Sequence, residues 1–448
     1  MSVSNLDKLR SIVIRSIDES SEGLIAAAKA VYAMPETGFN ERKTSSFVKA
    51  RLEQLKLSVE TGVAITGLKA VIQGGNPGPT IAVIAELDAL RVPSHPGSDN
   101  ISGAAHACGH HVQIGALLGV ATALVNPVVK HSLSGNVVLI LTPAEEFIDI
   151  EDRLARRHNS EIEFLSGKQE MIRLGAFDGI DMAMMIHASN GEGKEIFSVG
   201  GTTNAHVTHQ VRYIGKSAHA GGAPYKGINA LQAAMFANAA INTQRETFIE
   251  DDVARVHGII SNGGTSVNAV PDEVLYEGRV RAGSSGALRF LEKKVIACYK
   301  AGALAMGASV QIQTVAGYHP LTQNTSMEKV FVENANNLFG QHSVISEPGD
   351  QNHGGSTDMG DLSKIMPVIH PYTRAASGIG HGEDYIIQDY DRAVVSSAKV
   401  MAATVLSLLH DGATKAEETI GKFKPHFTPR QYVKSQRERF TTTTYRSQ

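Results

Sequence analysis

The feature that most limits what this chain can fold into is a series of apolar segments that each end in polar residues. The segments GLKAVIQG, TIAVIAELDAL and NVVLILTPAEE are continuous apolar runs, and an apolar helical segment, GALLGVATALV, lies between the last two. Continuous apolar runs of this kind are typical of central strands in a sheet that is covered on both faces. Their alternation with helical segments predicts an α/β fold.

Chemically active side chains follow these predicted strands at their carboxyl ends. Asp88 follows the second apolar run, Glu145 and Glu146 follow the third, and a later strand, MAMMI, leads to His187. Ligand sites in open α/β sheets form at the carboxyl ends of the strands. These residues are therefore candidates for a common site.

The length of the chain and the order of its predicted elements indicate two domains and a tail. A chain of 448 residues is too long for one ordinary core. Residues 203–317 follow the order βαββαβ, which predicts a small α+β domain inserted into an α/β body of residues 1–202 and 318–412. Residues 413–448 form a basic C-terminal tail, because the last 28 residues contain seven Lys and Arg against one Glu. We expect a solvated or loosely docked tail, with a functional basic arm as the alternative.

Composition and charge argue against several classes of partner. Lys and Arg total 42 against 45 Asp and Glu, so neither nucleic acid nor an anionic membrane is expected to bind. The N-terminal segment lacks the apolar core of a secretory signal, and no segment is expected to reach the roughly 20 apolar residues of a membrane helix. The two cysteines, Cys108 and Cys298, allow one disulfide at most, which favours a reducing compartment and a cytoplasmic location.

The segment HACGHH at residues 106–111 places a thiol beside several imidazoles. It lacks a second CxxC or CxxH pair, so a structural zinc finger is not expected. Cys108 and His110 suit a catalytic metal site, since thiolate and imidazole are both good ligands for divalent transition metals. Taken alone, the segment fits a buried structural loop equally well.

Two adjacent acids at the end of a buried strand strengthen the metal interpretation. Glu145 and Glu146 are unfavourable there unless a cation or a proton shares them. Neighbouring side chains on an extended segment point in opposite directions, so one acid could bind a metal while the other acts as a general base. His187 and His381, the latter in the glycine-flanked loop GIGHGEDY, are further candidate ligands.

Six segments together resemble the M20 metallopeptidases, in particular their amidohydrolase branch. In chain order they are HACGHH, TPAEE, MMIHA, IGKSAHAGGAPYKGINAL, GIISNGGTSVNAVPDE and GSTDMGD. The resemblance implies an aminopeptidase-like catalytic domain with a dinuclear metal centre and a lid or dimerisation domain at residues 203–317. It also implies hydrolysis of the amide bond of an N-acyl or N-aroyl amino acid, which releases a carboxylic acid and an amino acid.

The resemblance assigns roles to the candidates of the catalytic domain. Two divalent ions, Zn or Mn, would be bound by five side chains: Cys108, which both ions share, His110, Glu146, His187 and His381. His370 is an alternative to His381 for the last ligand, and the acidic and aromatic residues after His381 favour the latter. Glu145 would be the general base, and Asp88 would support the ligands without binding the ions.

Three residues of the inserted domain match family positions that act on the substrate. His219 would reach the active site of a partner subunit and stabilise the oxyanion. Asn268 and Arg281 would meet polar groups of the substrate, although an ion pair on the sheet face is an equal alternative for Arg281. The expected partners are therefore a small N-acyl amino acid or dipeptide-like substrate and further copies of the chain, in a homodimer or a higher homo-oligomer.

Three features depart from the family's pattern. His111 occupies a position that usually holds Asp or Asn, so an anionic side chain near the metals is lost; an additional metal contact by His111 is a weaker alternative. Tyr32 stands where the family often has a histidine. Residues 147–166 form a charged insert, which we expect to border the pocket mouth and to narrow the choice of substrate.

Two other functions are compatible with the sequence. A dipeptidase that acts on free amino termini would need an acid near the substrate amine, and the acidic insert could supply one. An inactive metal-binding relative would lack the base or a ligand, whereas all the candidates are present here.

Overall fold

Each of two units in the chain encloses its own hydrophobic core in the computed structural model, which describes residues 5–191 and 193–446. Unit 1 contains the residues up to Gly201, Thr322–Gln351 and Leu362–Pro429. Unit 2 contains Thr202–Leu321, Asn352–Asp361 and the residues from Arg430 onward. This division differs from the boundaries expected from the sequence, because unit 2 also includes a short segment around Asp358 and the C-terminal residues.

The chain begins in unit 1, where helices and strands alternate. The elements are α1 (Asn5–Tyr32), α2 (Arg42–Gln54), β1 (Val59–Val63), β2 (Gly67–Gln73), β3 (Asn76–Glu86), β4 (Leu90–Arg91), β5 (Ala104–Ala105), α3 (His110–Leu124), α4 (Pro127–Ser132), β6 (Ser134–Thr142), α5 (Ile150–His158), α6 (Gly167–Arg173), β7 (Met182–Met185), β8 (His187–Asn190) and β9 (Phe197–Thr202). The three apolar runs identified in the sequence are β2, β3 and β6. The apolar helical segment between the last two of these runs is α3.

The inserted domain has the order βαββαβ that the sequence predicts. Its elements are β10 (Ala205–Ile214), α7 (Ala230–Gln244), β11 (Arg255–Asn262), β12 (Glu273–Ala282), α8 (Ser285–Met306) and β13 (Ser309–Ala316). The strands pair antiparallel, and β12 alternates buried and partly buried residues along its length. This alternation is expected when one face of an antiparallel sheet packs on a core.

The last part of the chain returns to unit 1 and then ends in unit 2. Its elements are α9 (Thr325–Phe339), β14 (Val344–Asn352), α10 (Met359–Leu362), β15 (Val368–Ile369), β16 (Tyr372–Ser377), β17 (Ile386–Ile387), α11 (Ser397–Leu409), α12 (Thr414–Lys422), α13 (Pro429–Glu438) and β18 (Thr441–Tyr445). A π-helical turn, Asp391–Ser396, leads into α11.

The central sheet of unit 1 has the strand order β1-β2-β6-β3-β7-β15. β6, β3, β7 and β15 are parallel neighbours, so their carboxyl ends lie at the same edge of the sheet. A second sheet joins β8 to β16, with His187 directly opposite Tyr372. The α/β fold is confirmed. The segments that follow β3, β6 and β7 contain most of the candidate ligands, and His381 lies in the loop between β16 and β17.

The prediction of a solvated or loosely docked C-terminal tail is wrong. α13 buries Tyr432 and Gln436 completely, and β18 pairs antiparallel with β13. β18 is thereby the fifth strand of the sheet β11-β12-β10-β13-β18. The physical reason is that β13 would otherwise be an edge strand with unpaired backbone groups, and a run of threonines has the β propensity to pair with it.

The expectation that no segment approaches the roughly 20 apolar residues of a membrane helix is also wrong. The segment Asp391–Leu409 has 19 residues and is apolar enough to span a bilayer, but 89% of it is buried inside the protein. Burial in the core of unit 1, among α1, α3 and α9, accounts for this composition.

Candidate metal and active site

Backbone geometry brings Cys108 and His110 to the edge of the central sheet. Between them, Gly109 is the N-cap of α3 and has a φ of 91°, a left-handed conformation that glycine adopts without strain. A Cβ at this position would lie 2.9 Å from the hydroxyl of Tyr385. His381 approaches from another loop, where its own N–H donates to the Ala107 carbonyl at 2.9 Å.

The structure brings the candidate ligands together in three overlapping groups. Within each group the donor atoms lie within 4.8 Å of one another. The groups are Cys108, His110 and His187; Cys108, Glu146 and His381; and Glu86, His110 and Glu145. Cys108 belongs to the first two groups, which is the arrangement expected of a ligand shared by two ions.

Asp88 orients two of the candidate ligands without joining a donor group. Its carbonyl oxygen lies 2.8 Å from His110 Nδ1, so Nδ1–H donates and Nε2 is the nitrogen that could bind a metal ion. Its carboxylate Oδ2 accepts a hydrogen bond from the Glu146 N–H at 2.9 Å. Asp88 is fully buried and therefore holds two ligand-bearing loops at fixed positions.

Electrostatic contacts favour the charged forms of the cluster. Burial opposes ionisation of Glu146, but the charges of His381 and His110 lower the pKa of this carboxyl to about 2. Burial and Glu146 oppose ionisation of the Cys108 thiol, yet His187 and His110 lower its pKa to about 6. Thiolate and carboxylate are the forms that bind metal ions, and the positive charges that stabilise them here belong to protonated imidazoles. A bound cation would replace those charges, because histidines release a proton when they become ligands.

Several buried polar atoms of the cluster have incomplete hydrogen bonding. Asp88 Oδ1, His110 Nε2 and Glu146 Oε1 make no hydrogen bond of good geometry within the described chain. Each nevertheless lies 3.1 or 3.2 Å from an atom of an oppositely charged group. Buried polar atoms without hydrogen bonds are unfavourable, and bound cations would satisfy His110 Nε2 and Glu146 Oε1.

His381, and not His370, lies beside Cys108 and Glu146. His381 Nε2 is 3.2 Å from Glu146 Oε1, and its side chain is 56% exposed, so it faces the open side of the cluster. His370 is buried and stacks on His187 at a ring distance of 5.9 Å, outside the donor groups of the described residues. The geometry therefore favours His381 as the closing ligand.

His111 is turned away from the donors. Its Nε2 lies 3.2 Å from the Tyr390 hydroxyl, and its ring lies 5.1 Å from that of Tyr32. It belongs to none of the three donor groups found in the described part of the chain, which contradicts the alternative of an additional metal contact.

The three candidates of the inserted domain belong to unit 2. The His219 Nδ1 accepts hydrogen bonds from the N–H groups of Gly221 and Gly222 at 3.1 and 3.0 Å, which leaves the ring proton on Nε2. Asn268 is exposed, and its backbone carbonyl accepts a hydrogen bond from the Ala220 N–H. Arg281 donates to the Ser356 hydroxyl at 2.9 Å.

The charged insert packs onto its own unit. It contains α5, and Asp149 accepts two hydrogen bonds from the guanidinium of Arg91. Arg153 is completely buried, donates to the Leu165 carbonyl at 2.7 Å and lies over the ring of Phe39. The insert is therefore a fixed part of unit 1 that begins directly after Glu146.

The sequence did not indicate three buried charged residues around the donors. Glu86 lies 3.1 Å from His110, and Lys168 lies 2.5 Å from Glu86. Glu41 accepts hydrogen bonds from the Ala144 N–H at 2.8 Å and from the Thr66 hydroxyl at 2.6 Å. The only local signal was a charged residue inside an apolar segment, as at Glu86 in VIAELDAL.

Comparisons with known proteins agree with this geometry. The sequence profile of peptidase family M20/M25/M40 matches residues 82–407. The Xaa-Arg dipeptidase of Mus musculus is 30% identical over 438 residues, which cover 91% of this chain and 90% of the relative. IAA-amino acid hydrolase ILR1-like 2 of Arabidopsis thaliana is 28% identical over 362 residues, which cover 78% of this chain and 76% of the relative.

A solved structure has the same fold. The Bacillus subtilis protein YXEP, described as a dinuclear metal-binding peptidase from family M20, matches with a TM-score of 0.63 and 20% sequence identity. The match covers 87% of this chain and 98% of that one.

Proposed function

The chain belongs to peptidase family M20/M25/M40 and is a metal-dependent amide hydrolase, and we propose that it cleaves N-acyl or N-aroyl amino acids. The products would be a carboxylic acid and an amino acid. The main support is the cluster in which Cys108 is common to two groups of metal-binding side chains.

The donor groups suggest how two divalent ions would be held. Cys108, His110 and His187 would bind one ion, and Cys108, Glu146 and His381 the other. Thiolate and imidazole ligands suit zinc, and the carboxylate also permits manganese. A thiol ligand must stay reduced, and both cysteines are free in the structure, which supports a reducing compartment such as the cytoplasm.

Glu145 has the position of a general base. When bound, the two ions would polarise the substrate carbonyl and lower the pKa of a water molecule. Glu145 is 8% exposed, and a carboxylate oxygen of it lies within 4.8 Å of a ring nitrogen of the candidate ligand His110. From there it would take a proton from the attacking water and deliver it to the leaving amine. Asp88 keeps Glu145 and Glu146 in place through the backbone of Glu146.

Unit 2 supplies features that suit a dimer. β11 is an edge strand, and its residues Ile259 and Ile260 are 62% and 41% exposed. On α7, Met235 and Phe236 are 50% and 51% exposed. An edge strand and exposed apolar side chains favour association with a second copy, in which the His219 Nε2–H would donate to the oxyanion.

A dipeptidase is the second candidate function. It is favoured by the relative with the name Xaa-Arg dipeptidase, which matches over 91% of this chain. The substrate would then be a dipeptide with a free amino group, and the insert at residues 147–166 would provide the acid that binds it.

Replacing the general base tests the proposed function. Glu145→Gln should keep two divalent ions per subunit, measured by elemental analysis, but should lose about 10²- to 10⁴-fold in hydrolysis. Glu22→Gln, the same change at an exposed residue of α1, is the matched control and should keep full activity. Hydrolysis by Glu145→Gln at the wild-type rate would refute the assignment.

A substrate panel separates the two candidate functions. Amine release should be fastest with N-acyl and N-aroyl amino acids and slow with dipeptides that have a free amino group. The opposite order, in particular fast cleavage of dipeptides that end in arginine, would establish the dipeptidase instead.

A further inference from the structure

Glu86 and Lys168 form a buried ion pair beside the candidate metal ligands. Lys168 Nζ lies 2.5 Å from Glu86 Oε1, and the two side chains are 0% and 1% exposed. The other oxygen of Glu86 accepts a hydrogen bond from the Gln113 amide at 2.9 Å and lies 3.1 Å from His110 Nε2. The roles proposed above use neither Glu86 nor Lys168.

Glu86 has the chemistry and the position of an additional metal ligand. It forms the third donor group with His110 and Glu145, and all three residues are buried. An ion held by this group would engage the carboxylate of Glu145, which must stay free to accept a proton. A buried carboxylate without a neighbouring positive charge would attract such an ion strongly.

We propose that Lys168 is a positioning residue that holds Glu86 out of the metal coordination and so keeps Glu145 available as the base. The ammonium group acts as a fixed cation that neutralises Glu86 where a metal ion would otherwise do so. This inference rests on the proposed dinuclear centre.

Cobalt binding tests the proposal without relying on activity. Metal-free wild type, Lys168→Met, Glu86→Gln and the double variant are titrated with Co²⁺ alone. Calorimetry gives the affinity and stoichiometry, and the visible absorption of Co²⁺ reports its coordination, because additional oxygen ligands weaken the bands. Lys8→Met, at an exposed lysine of α1, is the matched control and should behave as wild type.

The expected results separate a role in coordination from a merely structural one. Lys168→Met should bind Co²⁺ about tenfold more tightly and show weaker visible bands, because the released Glu86 becomes a ligand. Glu86→Gln and the double variant should keep the wild-type bands and an affinity within about threefold of wild type. If Glu86→Gln restores the wild-type cobalt bands and affinity in the Lys168→Met background, a general loss of packing cannot explain the effect of Lys168→Met.

Other results overturn the inference. Weaker Co²⁺ binding or an unchanged visible spectrum in Lys168→Met would show that Lys168 does not hold Glu86 out of the metal coordination. If Lys168→Met fails to fold, Glu86→Gln decides alone, since loss of its cobalt bands would identify Glu86 as a ligand in the native centre. Absence of Co²⁺ binding by the wild type would instead overturn the dinuclear centre, and the inference with it.

Discussion

A buried carboxyl in unit 2 allows a quantitative test of the packing around α13. Asp361 is fully buried, and its Oδ1 accepts hydrogen bonds from the His319 N–H at 3.3 Å and the Gln436 amide at 3.4 Å. Burial, and then the neighbouring carboxylate of Asp358, raise the pKa of Asp361 to about 7. In the unfolded chain the same group ionises with a pKa of about 3.9.

The raised pKa makes folding less favourable as the pH increases. The folded protein keeps a proton that the unfolded chain releases, so this contribution to stability is complete below pH ~4 and is lost as the pH rises to ~7. The total loss is about 4 kcal/mol, of which about 2.5 kcal/mol falls between pH ~5 and ~8. Asp361→Asn has the same shape and no charge, so this part of the pH dependence should disappear.

Urea denaturation of the metal-free protein, followed by circular dichroism, measures the effect. The stability of Asp361→Asn relative to wild type should rise by about 2.5 kcal/mol between pH ~5 and ~8. Asp251→Asn, at an exposed residue of unit 2, should differ from wild type by a constant amount. If wild type and Asp361→Asn lose stability in parallel, Asp361 ionises normally in the folded protein and the reasoning is wrong.

Three further changes test the turn at the ligands, the docking of the C-terminal helix and the insert. Gly109→Ala should lower stability by about 1–2 kcal/mol and weaken metal binding, because the φ of Gly109 is 91° and the Tyr385 hydroxyl lies 2.9 Å from the added methyl group. The control Gly23→Ala in α1 meets nothing within 4 Å and should be neutral or stabilising, so equal unfolding midpoints of the two variants would contradict the prediction. Tyr432→Ala should lower the free energy of unfolding by about 3–5 kcal/mol, and Tyr225→Ala, at a residue that is 81% exposed, by less than about 0.5 kcal/mol; a small effect at Tyr432 would mean that α13 docks weakly. Shortening residues 147–166 should broaden the range of N-acyl amino acids hydrolysed, and an unchanged substrate profile would exclude the insert from specificity.

The fold and the acidic residues of the site were predictable from one physical pattern, whereas the roles of Cys108 and His381 followed from the resemblance to the M20 metallopeptidases. β3 and β6 are buried on both faces, so their sequences are apolar until the strand ends. Polar residues become favourable only where the strand leaves the core, which places Asp88 and Glu146 at the same sheet edge. Because β3 and β6 are parallel neighbours, their carboxyl ends lie together, and the order of the predicted strands and helices is enough to predict this arrangement.

Contacts between distant segments were not predictable in this way. Glu86 and Lys168 are 82 residues apart, and each looks locally like a charge that interrupts an apolar segment. The C-terminal helix α13 buries only Tyr432 and Gln436 of its ten residues, so it has no apolar stripe that would indicate docking. The strand after it is bound through backbone hydrogen bonds to β13, which any sequence of sufficient β propensity can form.

Two departures from the family's pattern lie against each other. Tyr32, at the end of α1, and His111, at the start of α3, have ring centroids 5.1 Å apart. Burial, and then the charge of His106, lower the pKa of His111 well below its ordinary value, so its imidazole is neutral. An aspartate at position 111 would add a negative charge beside the candidate ligands, whereas an asparagine or the neutral imidazole of this chain adds none. Because the neutral imidazole of His111 adds no positive charge next to His110, it would not repel a cation at that candidate ligand.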